Sequence, residues 1–253
     1  LLRTSGSLQL TTASSGSTAN ASVTVPVNEN WFHVVGTFDG IMLTLYLDGQ
    51  FIESVNAVGR YTPGLESQQK PFTIGNRGGT TAYTTNGYLY DSRYYARALS
   101  HVEIGEIYNS SNRFYGDEVI RLPLVPGVGD RSIISSITNA PVVTMTHYPT
   151  SLTQPNAEKT SLAHLYHNTP NTAIISSQQK NIQTKKWAAY FAEGSTMRIP
   201  YDSYHMNHSH FSVSFWLRLK VTGYETTDYH TIYNAADEYG GSSYGHRIQV
   251  NNI

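Results

Sequence analysis

An all-β fold of antiparallel strands with one short helix is what the 253-residue sequence predicts, on three observations. The runs Trp31 to Phe38 and Ile41 to Leu47 are extended, β-branched and aromatic. Asp39-Gly40 joins them and Asp48-Gly49 closes the second, and Asp-Gly suits the positive backbone angles of tight hairpin loops. Strand periodicity is the second observation. Ile41, Leu43, Leu45 and Leu47 alternate with Met42, Thr44 and Tyr46. Phe211, Val213, Phe215, Leu217 and Leu219 alternate with Ser212, Ser214, Trp216 and Arg218, the pattern of a half-buried strand. Third, helix-start chemistry is clear at one place. Ser100-His101-Val102-Glu103 has capping-box spacing, with Ile104 and Ile107 or Tyr108 on one side of a short helix.

In chain order, Leu8 and Leu10 mark a first short strand, Thr11 to Ser22 reads as a Ser/Thr/Gly/Ala loop, and a second strand ends at Pro26. Phe51 to Val55 is a further strand. Gly59 to Pro71 is a polar loop turning at Pro63-Gly64, and Phe72 to Gly75 is extended before the loop Asn76 to Gly79. Tyr88, Tyr90 and Tyr94 alternate within the run Gly87 to Ser100, and Arg247 to Val250 reads as a further strand. A stretch rich in Ser, Thr, Asn and Gln separates Pro149 from Lys186.

Composition excludes several classes of function. Net charge is -1 with 14% charged residues, so there is no basic field to draw nucleic acid or an anionic membrane. No apolar run is long enough to insert in a bilayer. Cysteine is absent, which removes disulfide frameworks and thiolate metal sites. The first residue is Leu1 rather than Met, as in a processed or cut chain, so its start carries no reading of a targeting signal. Nineteen tyrosines among many Ser, Thr and Asn residues suit a β-rich surface that binds through rings and hydroxyls.

The pattern W-x-H-V-x-G-T-F-D-G from Trp31, then Leu45-Tyr46-Leu47-Asp48-Gly49, Phe72-Thr73-Ile74-Gly75, Gly87 to Ser100 and the turn Glu103 to Tyr108 resembles the laminin-G-like, concanavalin-A-like jelly-roll family. The resemblance implies an antiparallel two-sheet jelly-roll sandwich that binds glycans or proteins, often with calcium, in extracellular, cell-surface or virion proteins. Residues 1–115 resemble the late part of one such unit. Residues 116–253 resemble the early part of a second, with a polar insertion at about 149–186; in the family, a strand such as Arg247 to Val250 would be followed by one such as Leu8-Gln9-Leu10. Three arrangements fit: a window in a tandem array, a single permuted sandwich, or chains that complete one another head to tail as a filament.

A polysaccharide hydrolase of this superfamily needs two carboxylates across the sugar. The E-x-D-x-x-E strand motif of its hydrolytic branches is absent, and Asp117-Glu118, Asp237-Glu238 and Glu103 with Glu106 make no convincing acid/base pair, so a non-enzyme is expected. His205, His208 and His210 form the densest histidine group and read more simply as a polar loop. For calcium, the candidate ligands are Asp39, Asp48 and Asp91 with Asn76; Asp39 and Asp48 have the simpler role of turn formers. Where the family's final strand carries an acid, this chain has Tyr90, and the acid stands one residue on at Asp91. Aromatic display is the stronger binding signal. Tyr88, Tyr90 and Tyr94 are expected on one strand face, with Tyr83 just before it and Asn76-Arg77 in a further loop, to stack sugars or to form a protein interface; burial of that face within the sandwich is the equal alternative. The expected role is a structural and adhesive module of a surface protein, filament or virion appendage. Its expected partners are glycans, other surface or virion proteins, or neighbouring copies. The alternatives are a carbohydrate-binding module of a secreted polysaccharide-active enzyme and a self-complementing filament subunit.

Overall fold

Tight turns fix the first hairpins. β1 (Ser5–Ser14) reverses through Ser15 and Gly16, at φ 47° and 85°, into β2 (Ser17–Pro26). Two consecutive left-handed residues match the right-handed twist of paired strands. The hairpin therefore runs straight through Thr11 to Ser22, where sequence reading expects a loop. β4 (Met42–Leu47) turns in the same way through Asp48 and Gly49, at φ 50° and 75°, into β5 (Gln50–Asn56). The turn from β3 (Trp31–Phe38) into β4 is different. Only Gly40 among its residues is left-handed, and Asp39 Oδ1 accepts the amides of Ile41 (2.9 Å) and Met42 (2.7 Å). Ile41 consequently sits in the turn, 57% exposed, instead of joining Leu43 and Leu45 in the core.

The remaining elements are β6 (Phe72–Ile74), β7 (Gly87–Tyr95), α1 (His101–Asn109), β8 (Glu118–Leu122), β9 (Thr144–Thr146), β10 (Ala189–Phe191), β11 (Thr196–Ile199), β12 (Phe211–Leu219), β13 (Tyr229–Tyr239) and β14 (Ser242–Asn251). The structure, a computed structural model, describes residues 5–26, 30–63, 72–76, 85–110, 115, 117–122, 144–146, 189–191, 196–199, 208–220, 229–239 and 242–251. Its strands make two antiparallel sheets. One has the order β2-β1-β14-β13-β6-β11-β9, and the other β10-β7-β12-β3-β4-β5 with β8 added against β7. Leu8, Leu10, Ile248 and Val250 from the first sheet meet Val34, Leu43, Val213 and Phe215 from the second in one apolar core.

Strands from both parts of the chain share both sheets. β14 lies against β1 with Leu8 opposite Val250, Gln9 opposite Gln249 and Leu10 opposite Ile248, so the two runs that the family pattern would place in succession are direct neighbours. β12 lies between β3 and β7. The alternation of β12 is as expected, Phe211, Val213, Phe215, Leu217 and Leu219 all facing the core. Its other face is covered as well, which a half-buried reading misses. Ser212 is fully buried, where its Oγ donates to the Arg97 carbonyl and accepts the Leu99 amide, both at 2.8 Å. A polar residue in this position pins the segment after β7 to the sheet.

That segment leads into α1. Ser100 caps it, and the capping box is complete, Glu103 reaching back to the Ser100 amide at 2.8 Å. Ile104 and Ile107 pack on Val35, Tyr95 and Leu99, so the helix covers part of the outer face of the second sheet. Replacing Ser100 by Ala is expected to lower stability by about 1 kcal/mol in chemical denaturation.

Candidate functional site

Beyond the edge of α1, the outer face of the second sheet carries an aromatic cluster separate from the inter-sheet core. Register builds it. In one cross-strand row His33 of β3 stands opposite Trp216 of β12, which stands opposite Tyr90 of β7; in the next, Trp31 stands opposite Arg218 and Arg218 opposite Tyr88. Strand spacing near 4.8 Å and a two-residue rise near 6.7 Å give these six positions a footprint of roughly 10 Å by 7 Å, the scale of one or two pyranose rings.

The rings make a floor and a rim. Trp31 and Trp216 are only 6% and 2% exposed, while Tyr88, Tyr90 and Tyr108 are half-buried around them. Tyr108, from the last turn of α1, stacks on Trp216 at 5.6 Å, and His33 lies 5.0 Å from the same indole. Trp31 meets Tyr88 at 6.5 Å, and the Arg218 guanidinium sits 5.4 Å over the Tyr88 ring. The His33 Nε2 is 2.9 Å from Ser214 Oγ, which fixes its ring plane. Flat apolar faces with phenol hydroxyls and one guanidinium at the edge can stack on a sugar ring and hydrogen-bond its hydroxyls.

Tyr94 is not part of this face, contrary to simple alternation. β7 carries a bulge. Tyr90 pairs with Trp216 but Arg93 pairs with Ser214, so Asp91 and Ser92 together oppose Phe215, and Asp91 takes φ 48°. One extra residue reverses the facing of everything after it. Tyr94 therefore enters the inter-sheet core at 3% exposure, stacked 5.9 Å from His246, and burial drives its phenol pKa well up. Arg93 and Tyr95 turn to the outer face, where Tyr95 packs on Ile104 and Ile107 of α1.

Asp91, a candidate calcium ligand by sequence, is engaged in a buried ion network. Its Oδ2 accepts Arg93 Nη2 at 2.5 Å and its Oδ1 accepts Arg121 Nε at 3.1 Å. Arg93 also lies 3.8 Å from Glu118, which accepts the Tyr95 hydroxyl at 3.2 Å. Burial alone would raise the Asp91 carboxyl, but the two guanidinium groups overcome it and hold the pKa at about 2. Both oxygens are thus committed within the protein.

The other candidates lie apart. Asp39 caps its turn as described. Asp48 accepts the His33 amide at 2.8 Å from the turn that it forms, and burial raises its pKa. Asn76 is buried, its carbonyl accepting Thr73 Oγ1 at 2.7 Å. Arg77, Tyr83 and His205 lie outside the described residues. Among the described residues no three His, Asp or Glu side chains group to hold a metal ion. Of the sequence-selected residues the geometry brings together Tyr88 and Tyr90. It adds Trp31, Trp216, Arg218 and Tyr108, which sequence reading left out; Trp216 and Arg218 interrupting a polar strand face was the available signal.

Residues 1–105 match the family model of the concanavalin A-like lectin/glucanases superfamily in its laminin-G form. That stretch is similar to the superfamily, and the two-sheet antiparallel sandwich agrees with the likeness. Searches of curated proteins and of solved structures gave no match. Members of the superfamily commonly bind glycans or proteins, and laminin-G-like domains are generally non-catalytic binding modules. Among the described residues no helix is long and apolar enough to cross a membrane.

Proposed function

We propose that the chain is a non-catalytic binding module of an extracellular, cell-surface or virion protein, and that it takes glycans on the aromatic face built by Trp31, Tyr88, Tyr90, Trp216 and Arg218. The observation that carries this reading is the position of the cluster. Two buried tryptophans, with two half-buried tyrosines at their rim, lie on the outer face of a sheet whose inter-sheet core is already complete without them. Half-buried phenols at the rim offer ring faces and hydroxyls together, the chemistry that a sugar presents in complement.

Glycan-array screening followed by calorimetry tests the proposal. Wild type is expected to bind one class of oligosaccharide saturably, and Tyr88→Ala and Tyr90→Ala each to weaken it about fivefold to tenfold, as loss of an aromatic contact worth about 1 kcal/mol implies. Undiminished binding by the double variant sinks the assignment of the site. Repeating the titration with a chelator reads whether calcium takes part.

A further inference from the structure

The pairing pattern separates the chain into two interlocking parts. Among the described residues, 5–122 form three ladders that do not pair with one another: β1 with β2, β3-β4-β5, and β7 with β8. Residues 144–251 fill the gaps. The β13–β14 hairpin stands between β1 and β6, and β12 stands between β3 and β7. Neither part has a continuous sheet without the other. Residues 5–122 alone would present open ladder edges on both sides of each gap, which other strands readily fill.

We propose that this slot accepts residues 144–251 from a second copy of the chain as well as from its own, so that copies exchange their later parts and form dimers or head-to-tail chains. The contacts are the same in both cases. Leu8 meets Val250, Phe38 meets Phe211 and Trp216 meets Tyr90 whichever chain donates the strand, so nothing in the ladders encodes the donor. What favours self-pairing is the connection alone. Residues 123–143 join the two parts, and a chain of that length reaches up to about 70 Å, enough to lead to a neighbouring sandwich. A tether of this kind gives an effective concentration in the millimolar range, so exchange gains on self-pairing as protein concentration rises. A slot on one copy and an inserting part on the next is a heterologous interface, which closes as a reciprocal dimer or continues as a chain.

The absence of cysteine gives a direct test. Gln9 and Gln249 are opposite one another on β1 and β14, with Nε2 of Gln249 at 3.4 Å from Oε1 of Gln9. The variants Gln9→Cys and Gln249→Cys are unfolded together, refolded at increasing concentration, oxidised, and examined by non-reducing gel and intact mass. The expected product is a disulfide-linked dimer of one copy of each variant, growing with concentration and missing when the two are mixed after folding. The chain with both substitutions serves as control and should close on itself at low concentration. If the control closes and the mixed dimer never appears, the proposal is wrong. Should the control fail to close, the mass of wild type refolded at high concentration decides by light scattering: dimers or longer species uphold exchange, and a monomer throughout overturns it. Neither outcome depends on what the aromatic face binds.

Discussion

Replacing Asp91 by Asn is expected to lower unfolding free energy by about 3–5 kcal/mol, because it leaves the buried Arg93 guanidinium without its principal counter-charge. Arg93 is fully buried, and among the described residues Glu118 stands 3.8 Å from it and also serves Tyr95. Asn is the informative substitution. It keeps the shape of Asp and tolerates the left-handed backbone at this position, so the bulge survives and the loss reports charge. Urea denaturation followed by tryptophan emission measures it, as a lower midpoint with unchanged slope. An effect below 1 kcal/mol would mean that the network is not buried as described. Arg121 of β8 shares the same carboxylate, so the change should also loosen β8 from β7.

Acid is expected to remove a comparable amount of stability well before the carboxylates titrate. His246 is 3% exposed in the core, stacked 3.9 Å from Phe211 and beside Tyr94, Tyr233 and Tyr61, and burial pushes its pKa down to about 3. The Tyr233 hydroxyl lies 3.4 Å from its Nε2. The unfolded chain takes up this proton near pH 6.5 and the folded chain does not, so the stabilisation is complete above pH 6.5 and is lost as pH falls towards 3. Between pH 7 and pH 4 the loss amounts to about 3 kcal/mol. Asp91, depressed to about 2, adds a further loss only below its unfolded value near 3.8. Urea midpoints across this range should fall steeply for wild type. His246→Phe, which keeps an aromatic ring in the stack, should flatten the part between pH 6.5 and 4. An equally steep profile in that variant would assign the loss to other groups.

Strand positions and the helix cap were legible in the sequence because they depend on local chemistry. Asp48-Gly49 makes the turn that its backbone angles demand, and Ser100 with Glu103 starts the helix. The aromatic face was only half legible. Alternation placed Tyr88 and Tyr90 together, but the bulge at Asp91 shows only in the register of β7 against β12, and no local pattern announces it. For the same reason Asp91 resembled a loop ligand when it is the centre of an ion network closed by Arg121, thirty residues away. Trp31 and Trp216 join Tyr88 and Tyr90 through register across three strands, a long-range fact that periodicity within one strand does not contain.

Tryptophan emission during titration with the oligosaccharide selected by the array tests the central claim most directly, since two of the three tryptophans in the chain form the floor of the proposed site. A saturable change in emission for wild type, abolished by Trp216→Phe combined with Trp31→Phe while binding persists by calorimetry, is the predicted result. Tight glycan binding that leaves the emission of wild type unmoved would place the ligand elsewhere and contradict the account.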